Sequence, residues 1–529
     1  MAGYSTDLFD LVKTLTVNEK AYFKKYAYKQ QSDARENPYL RLFDAIDKQE
    51  TYDEEKLVKK FAKEKFAQKF SAAKNYLYNL ILDCLAMYDT NSEKLRHKLR
   101  QQIKQIEALI DRGLMEQAMK KVEATRKLLH PDNVINQYSW HIELINLQLE
   151  IMPYKTETHD ERMKLQYEKS HLLSVIANSQ EYYNLYLHSL HLLNQTGYTQ
   201  LEKHGKQAET FQDIISHPLL ADINLALSFN ARLFYCNTWF NYYLWNADYH
   251  KALHFAQLQV AQFSTEALQL SNVQKLMVSY KGVLMALTKL EDYDQFDETV
   301  REIENWNLRF ADKVTPEAVN TLMDAVYGSP FDAYYNQKRY AKAFNLIPNM
   351  RQYLENRFAQ RFKGNNIHYT LLIAALNFYA GNLNQALTEL EVVLNDKDLE
   401  TVPITHCTAR ILHLLIHFEL KNDLLLESLG RATYRFLYQY ESNYQVESLI
   451  IRFMRNASQI ANAKEMTEAL KKLREKLEPF LSDEFEREAF ARLHYLDWID
   501  SKLNNCTVWE WTEKQHTKRI VAQKTALKI

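Results

Sequence analysis

The sequence predicts an all-α protein of stacked two-helix repeats behind an N-terminal helical domain. Three observations lead there. Glycine and proline number only nine each in 529 residues, against usual frequencies of about 7% and 5%. Sheets and phosphate-cradling loops need more glycine than that. Apolar residues recur at i, i+3, i+4 and i+7, the spacing of one helix face. A pattern of helix, tight turn and helix, clearest at residues 368–394, returns along most of the chain.

Within 368–394, Leu371, Ala374, Ala375 and Phe378 make one apolar face of a first helix, and Ala386, Leu390, Val393 and Leu394 make that of a second. Gly381 stands between them, where a helix must end and the backbone commonly turns to positive φ. Small Ala374 and Ala386 allow the two axes to approach closely.

Residues 1–90 show four or five short helices and no repeat. Thr16 and Glu19 have the spacing of a capping box, ahead of a helix carrying Tyr22, Phe23 and Tyr26. Asn37-Pro38 opens another, with proline at the first helical position, and Leu42, Phe43 and Ile46 form its apolar face. A third helix begins within 51–54. The fourth, 71–88, carries the stripe Tyr76, Leu77, Leu80, Ile81, Cys84 and Leu85.

From residue 101 the hairpin spacing appears. Gly113 precedes Ala118, and the same turn-to-helix signal leads to Ala252, Phe296, Ala343, Ala386, Glu427 and Ala469. From 252 onward the intervals are 44, 47, 43, 41 and 42 residues, and the gap of 134 from 118 to 252 holds three more. Phe296 and Glu427 stand where a small residue is expected, so helix approach there should be looser. Residues 134–220 are helical by period, with Tyr183, Leu187 and Leu190 in the stripe, but show no clear repeat. Phe485, Ala489, Leu493, Leu496 and Leu503 lie along a helix from about 482, placed to cap the last hairpin's open face, with Trp509 and Trp511 folding back on it. Residues 514–528 hold Lys514, Lys518, Arg519, Lys524 and Lys528 without an acid and read as a partly disordered basic tail. The expected domains are 1–90, 91–480 and 481–529.

The residues Ala374, Gly381, Asn382, Leu383 and Ala386 resemble the tetratricopeptide repeat. That pattern sets a small residue midway along helix A, then glycine, a polar and an apolar residue in the turn, then alanine on helix B. The resemblance implies a right-handed α-solenoid. Its helices are longer than the norm, because the period exceeds the standard repeat of about 34 residues. The opening LFDLVKTLTVNEKAYFKKYA, with KNYLYNLIL further on, is similar to the start of a family of bacterial helical-repeat proteins of unknown role and implies no function.

In a tetratricopeptide superhelix, helix A lines the inner wall. Carried over by position, the resemblance turns Asn237, Asn241 and Leu244 inward, then Lys281 and Met285, Asp332 and Tyr335, and Leu371, Ala375 and Phe378. Peptide-binding members grip a terminal carboxylate with asparagine and lysine at such positions. Asn237, Asn241 and Lys281, with Asp332 and Tyr335 beside them, would form a reduced version of that grip. Ordinary polar residues on a wet wall would look the same.

Other clusters have competing readings. Lys56, Lys59, Lys60 and Lys63 share one side of the third helix. Followed by 71–76, they allow a helix-turn-helix in which Lys59 and Lys63 touch phosphates and Lys74 reads bases. A solvated charged face is the plainer account, as it is for Lys94, Arg96, Lys98, Arg100 and Lys104. His413 and His417 have metal-chelating spacing, with His406 nearby, but no third ligand completes a motif. His188 and His191 are discounted on the same ground. No metal or cofactor is expected. The four cysteines are far apart with no CxxC, as suits free thiols in a reducing compartment. No phosphate-binding, nucleophile-elbow, kinase or HExxH motif occurs.

Lysine and arginine total 66 against 67 acids, which excludes a globally basic coat. No secretory signal or membrane span is visible. The expectation is a cytoplasmic, non-enzymatic scaffold or adaptor binding a protein or peptide in the concave face. The alternative is a transcriptional regulator with a DNA-binding N-terminal domain and a sensor formed by the repeats.

Overall fold

The computed structural model describes residues 6–29, 37–88, 94–129, 137–196, 206–355, 363–396, 403–439, 444–457, 459–460, 462–483 and 486–526. Among them there is no strand, and no helix is long and apolar enough to cross a membrane. The chain forms two compact units, Met1–Gln105 and Ile106–Ile529.

The first unit holds α1 (Asp7–Thr14), α2 (Val17–Lys29), α3 (Pro38–Asp47), α4 (Glu54–Lys60) and α5 (Phe70–Met87), with a 3-10 turn at Lys65–Lys69. The capping box is present: Thr16 N–H donates to Glu19 Oε2 at 2.6 Å, and Glu19 N–H donates to Thr16 Oγ1 at 3.2 Å. Asn37 caps α3 by accepting from Tyr39 N–H. Helix α1 precedes the box, where the sequence pattern gives no helix. Phe23 and Phe43, with centroids 4.8 Å apart, sit in a core with Val12, Ile46, Leu77 and Ile81.

Helix α6 (Lys94–Ile110) leads to α7 (Met115–Arg126), α8 (Tyr138–Ile151), the 38-residue α9 (His159–Thr196) and α10 (Lys206–Ile215). Arg126 ties three of them together, reaching Gln148 at 2.9 Å and Glu168 at 2.6 Å. Arg162 donates to the carbonyls of Leu149 and Met152, both at 2.8 Å, satisfying groups that the end of α8 leaves open. Next come α11 (Phe229–Trp245), α12 (Tyr249–Ala261), α13 (Glu266–Ser271), α14 (Val273–Leu290) and α15 (Tyr293–Phe310). They are followed by α16 (Pro316–Met323), a π turn at Asp324–Gly328, α17 (Ser329–Asn336), α18 (Tyr340–Glu355), α19 (Lys363–Tyr379) and α20 (Leu383–Leu394). The chain ends with α21 (Pro403–Glu419), α22 (Asp423–Gln439), α23 (Gln445–Ala457), α24 (Ala463–Leu477), α25 (Arg487–Arg492), α26 (Tyr495–Leu503) and α27 (Val508–Ala526).

One turn recurs. Gly113, Ala247, Glu291, Lys338, Gly381, Lys421 and Asn505 all have positive φ, from 51° to 83°. At each, the N–H bonds the carbonyl three residues back and the next N–H bonds the carbonyl five back, as in Gly381 to Phe378 (3.0 Å) and Asn382 to Asn377 (2.8 Å). This is the Schellman closure, which satisfies orphan carbonyls at a helix end. Five residues past each of the first six turns lies a fully buried side chain: Ala118, Ala252, Phe296, Ala343, Ala386 and Leu426. Leu426, not Glu427, therefore holds the inward position of its hairpin; Glu427 is exposed and pairs with Arg431. The one-residue slip arises because the left-handed residue there is Lys421, which only the backbone reveals. Phe296 loosens nothing. It is 0% exposed and packs edge-on to Tyr334 at 5.5 Å. At α24 the buried position is Leu470 rather than Ala469, and the helix starts from an Asn462 cap.

Helices pair within hairpins and between them: α12 lies on α14, α18 on α19, α20 on α21 and α22 on α23. Gly282 of α14 faces Phe240 and Ala256, where an added Cβ would meet them at ordinary contact distances of 3.5 and 3.6 Å. One apolar core runs from Phe229 to Val508.

The C-terminal segment departs from expectation. The single capping helix is instead α25 and α26, broken at extended Leu493, and the basic stretch is helical over 514–526 within α27, Lys528 lying outside the described residues. Phe485 lies outside the described residues. Buried Glu486 accepts from Gln445 and Val446 N–H at 2.7 and 3.0 Å, a carboxylate at the positive end of α23. Trp498 packs against Phe418 and Phe453 and donates to Glu419 at 2.8 Å. Lys338 pairs with Asp497 at 2.5 Å, and Trp509 contacts Phe344. The segment thus crosses the turns of earlier hairpins as well as meeting the last one.

Candidate functional site

The five residues expected on an open inner wall do not share one environment. Asn237 is half-buried. Asn241 is only 5% exposed and donates to Ser189 Oγ at 3.0 Å. Leu244 packs with Leu193. The reason is α9, which lies along that face of α11. Asn241 is therefore an interhelical tie and not a groove residue. Tyr335 is also inside, at 1% exposure. Its hydroxyl donates to the Arg492 carbonyl at 2.8 Å and lies 3.0 Å from Tyr379 Oη, which accepts from His494 N–H at 3.0 Å. Tyr340 Oη bonds His494 Nδ1. Burial pushes all three tyrosines well above their ordinary range and holds His494 well below its own. The cluster is neutral and joins α17, α18 and α19 to the C-terminal segment.

Lys281 and Asp332 remain at the surface. Lys281 donates to Asp324 Oδ2 at 2.5 Å, and Tyr369 donates to Asp324 Oδ1 at 2.8 Å. Asp324 opens the π turn. Gly328 gives the pair room, since a Cβ there would lie 2.5 Å from both Asp324 Oδ1 and the Tyr369 hydroxyl. Asp332 meets His368 Nε2 at 3.1 Å and Asn336 at 3.2 Å. Lys281 and Asp332 thus each already hold a polar partner on another element.

A different surface opens nearby. A cavity of about 420 Å³, small for a protein partner alone, continues an exposed stripe there. Tyr138 of α8, Ile176, Gln180 and Tyr183 of α9, and Asn230 and Phe234 of α11 line it. Tyr183 and Phe234 lie 5.1 Å apart. Along α9 the solvent-facing positions Leu173, Ile176, Gln180, Tyr183 and Leu187 follow a 3-4-3-4 spacing, with Leu173 48% exposed. The core side of α9 is instead Leu165, Val175, Tyr182, Leu185 and Leu192, so Tyr183 and Leu187 face outward, contrary to the stripe read from sequence. Two interleaved apolar stripes on one long helix were the available signal. Asn178 fixes the adjoining loop by accepting from Leu227 N–H at 2.9 Å and donating to the Leu225 carbonyl at 3.1 Å.

In the first unit, Lys59 and Lys63 are exposed, but Lys74 is not available as a base reader. It pairs with Glu54, donates to the Tyr52 hydroxyl at 3.2 Å and has a largely buried side chain. Lys98, Arg100 and Lys104 are exposed; the side chains of Lys94 and Arg96 lie outside those described.

His413 Nε2 and His417 Nε2 are 3.0 Å apart, and Asn422 Nδ2 bonds His417 Nδ1 at 2.9 Å. Asn422 donating to Nδ1 leaves His417 protonated on Nε2, which then donates to His413. Burial, aided by His417 and Arg410, pushes His413 down to about 4. Among the described residues no three metal-ligating side chains cluster. His188 and His191 are exposed, and His406 is buried. The cysteines are free thiols. No family model, curated protein or solved structure matches this chain.

Proposed function

We propose that the chain is a non-enzymatic cytoplasmic scaffold holding a protein or peptide partner, built as a tetratricopeptide-like right-handed α-solenoid with long helices. The recurring turn supports the architectural part. From Ala247 to Lys421 the left-handed residues follow at intervals of 44, 47, 43 and 40. A unit of two helices leaves an apolar face that only a stacked neighbour can bury.

The observation that carries the binding part is the exposed apolar groove on α8, α9 and α11. Its aromatic and aliphatic bodies, with amides of Gln180 and Asn230 among them, suit an amphipathic helix whose anchors fall at i, i+3, i+4 and i+7. The partner's apolar face replaces water over Ile176 and Tyr183, and the amides set its register. The alternative of a DNA-reading head is weakened by the pairing of Lys74 with Glu54.

Affinity purification from the native cell tests the reading, using the intact chain and an Ile176→Asp/Tyr183→Asp variant. A partner held by the intact chain and lost by a variant of unchanged helicity and melting is expected. Equal recovery by both removes the groove from the function, and absence of any stable partner counts against a scaffold.

A further inference from the structure

Net charge near zero conceals a division between the two units. Residues 1–105 carry 20 Lys and Arg against 15 Asp and Glu, an excess of five positive charges, while residues 106–529 carry 46 against 52. A basic part joined to an acidic one points to an anionic partner for the basic part.

Residues 1–93 carry 15 charges of each sign, so the excess itself lies on Lys94, Arg96, Lys98, Arg100 and Lys104 of α6; within the balanced part, lysines gather around two adjoining cavities. One, of about 540 Å³, is lined by Arg41, Lys48, Lys59, Lys60 and Lys63. Its two carboxylates are already paired: Asp44 with Lys24 at 2.8 Å, and Glu64 with Arg41. The lysines at 48, 59, 60 and 63 form no ion pair among the described residues. The second cavity, of about 710 Å³, shares Lys63 and Glu64 with the first and continues past Lys69. Its floor is aromatic. Tyr39 lies 4.5 Å from Tyr76 and is stacked 6.0 Å from Phe66, and Tyr76 is 45% exposed.

We propose that the first unit binds single-stranded nucleic acid along this groove, phosphates on Lys48, Lys59, Lys60 and Lys63 and a base on the Tyr39–Phe66–Tyr76 shelf. Cations tracking a backbone beside an aromatic platform are what an unpaired strand requires. A duplex keeps its base faces stacked away from such a shelf, and an acidic peptide uses the lysines but leaves the rings without a partner. The inference concerns the first unit alone, so it stands or falls independently of the peptide groove on α9.

Fluorescence anisotropy on the full chain tests it, with labelled 12-mers of uridine and of deoxythymidine as probes. A 24-base-pair duplex, a glutamate 12-mer and phosphatidylserine vesicles serve as competitors. Binding of the single strands is expected, weakening with salt at a log–log slope of about −3 for four phosphates. Lys59→Gln/Lys63→Gln should reduce that slope by about 1 to 1.5. Tyr76→Leu should weaken binding about tenfold, and Tyr76→Phe should leave it unchanged. Tighter binding of the duplex, the glutamate peptide or the vesicles overturns the proposal, as does full binding by both the lysine and the leucine variants. Absence of single-strand binding at 50 mM salt overturns it outright.

Discussion

The α11–α12 and α19–α20 hairpins close through the same turn, yet their first helices differ in what covers them. On α19 the inward positions Leu371, Ala375 and Phe378 are apolar and buried within the main core. On α11 the same positions are Asn237, Asn241 and Leu244, and the long α9 lies over them. The turn is a local property that a few residues decide. The cover is non-local and belongs to a helix about 50 residues earlier. A position counted from the left-handed turn residue therefore gives direction, and what lies over that position decides its exposure.

The position five residues past the turn gives the sharpest test of that distinction. Most hairpins hold alanine there, and a view based on repeat position alone treats Phe296→Ala as a return to the pattern. The packed core treats it as a cavity. Phe296 is completely enclosed against Tyr334, so the substitution should cost about 3–5 kcal/mol, read as a lowered midpoint in urea. A neutral result would mean that the neighbouring helices close on alanine freely.

A third hairpin, α21–α22, places His413 and His417 on its first helix where α19 has Ile373 and Asn377. His413 is held near 4 against an ordinary 6.5, so the unfolded chain takes up a proton that the folded chain refuses. The corresponding stability is present above about pH 6.5 and is lost as pH falls toward 4, amounting to about 2–3 kcal/mol. Melting temperature should drop across that window, and His413→Phe should shrink the drop. An unchanged pH profile in His413→Phe would assign the acid sensitivity to other groups, such as buried His494.

Asn241→Ala should cost about 1–2 kcal/mol, because it removes the tie from α11 to Ser189 of α9. A wall residue facing solvent would cost almost nothing. Hydrogen exchange along α9, faster in the variant, separates the two readings.

The sequence was most legible where the cause is local. The Thr16–Glu19 box, the Asn37-Pro38 start and the Gly381 turn each need only neighbouring residues, and all are present. Legibility failed where a distant element decides. Asn241 is covered by α9, Tyr335 by the segment around Arg492, and Lys74 by Glu54 across a loop. The apolar groove was hidden because α9 carries one stripe for its own core and another facing outward, and periodicity alone does not say which is which.

The smallest expected effect returns to the turn itself. Both hairpins require a left-handed residue, at φ 56° for Ala247 and 83° for Gly381. An L side chain there costs roughly 1–2 kcal/mol, offset in part by the roughly 0.5–1 kcal/mol of extra chain entropy that glycine loses on folding. Ala247→Gly should therefore stabilise by up to about 1 kcal/mol, and Gly381→Ala should destabilise by a similar amount. The second has a small further term, because the new Cβ meets Thr507 Cγ2 at 3.4 Å. Opposite signs in urea midpoints would establish that the turn acts alike under both first helices, whatever covers them. Equal signs would mean that the α9 cover changes the strain at Ala247, and the turn could no longer be treated as independent of its surroundings.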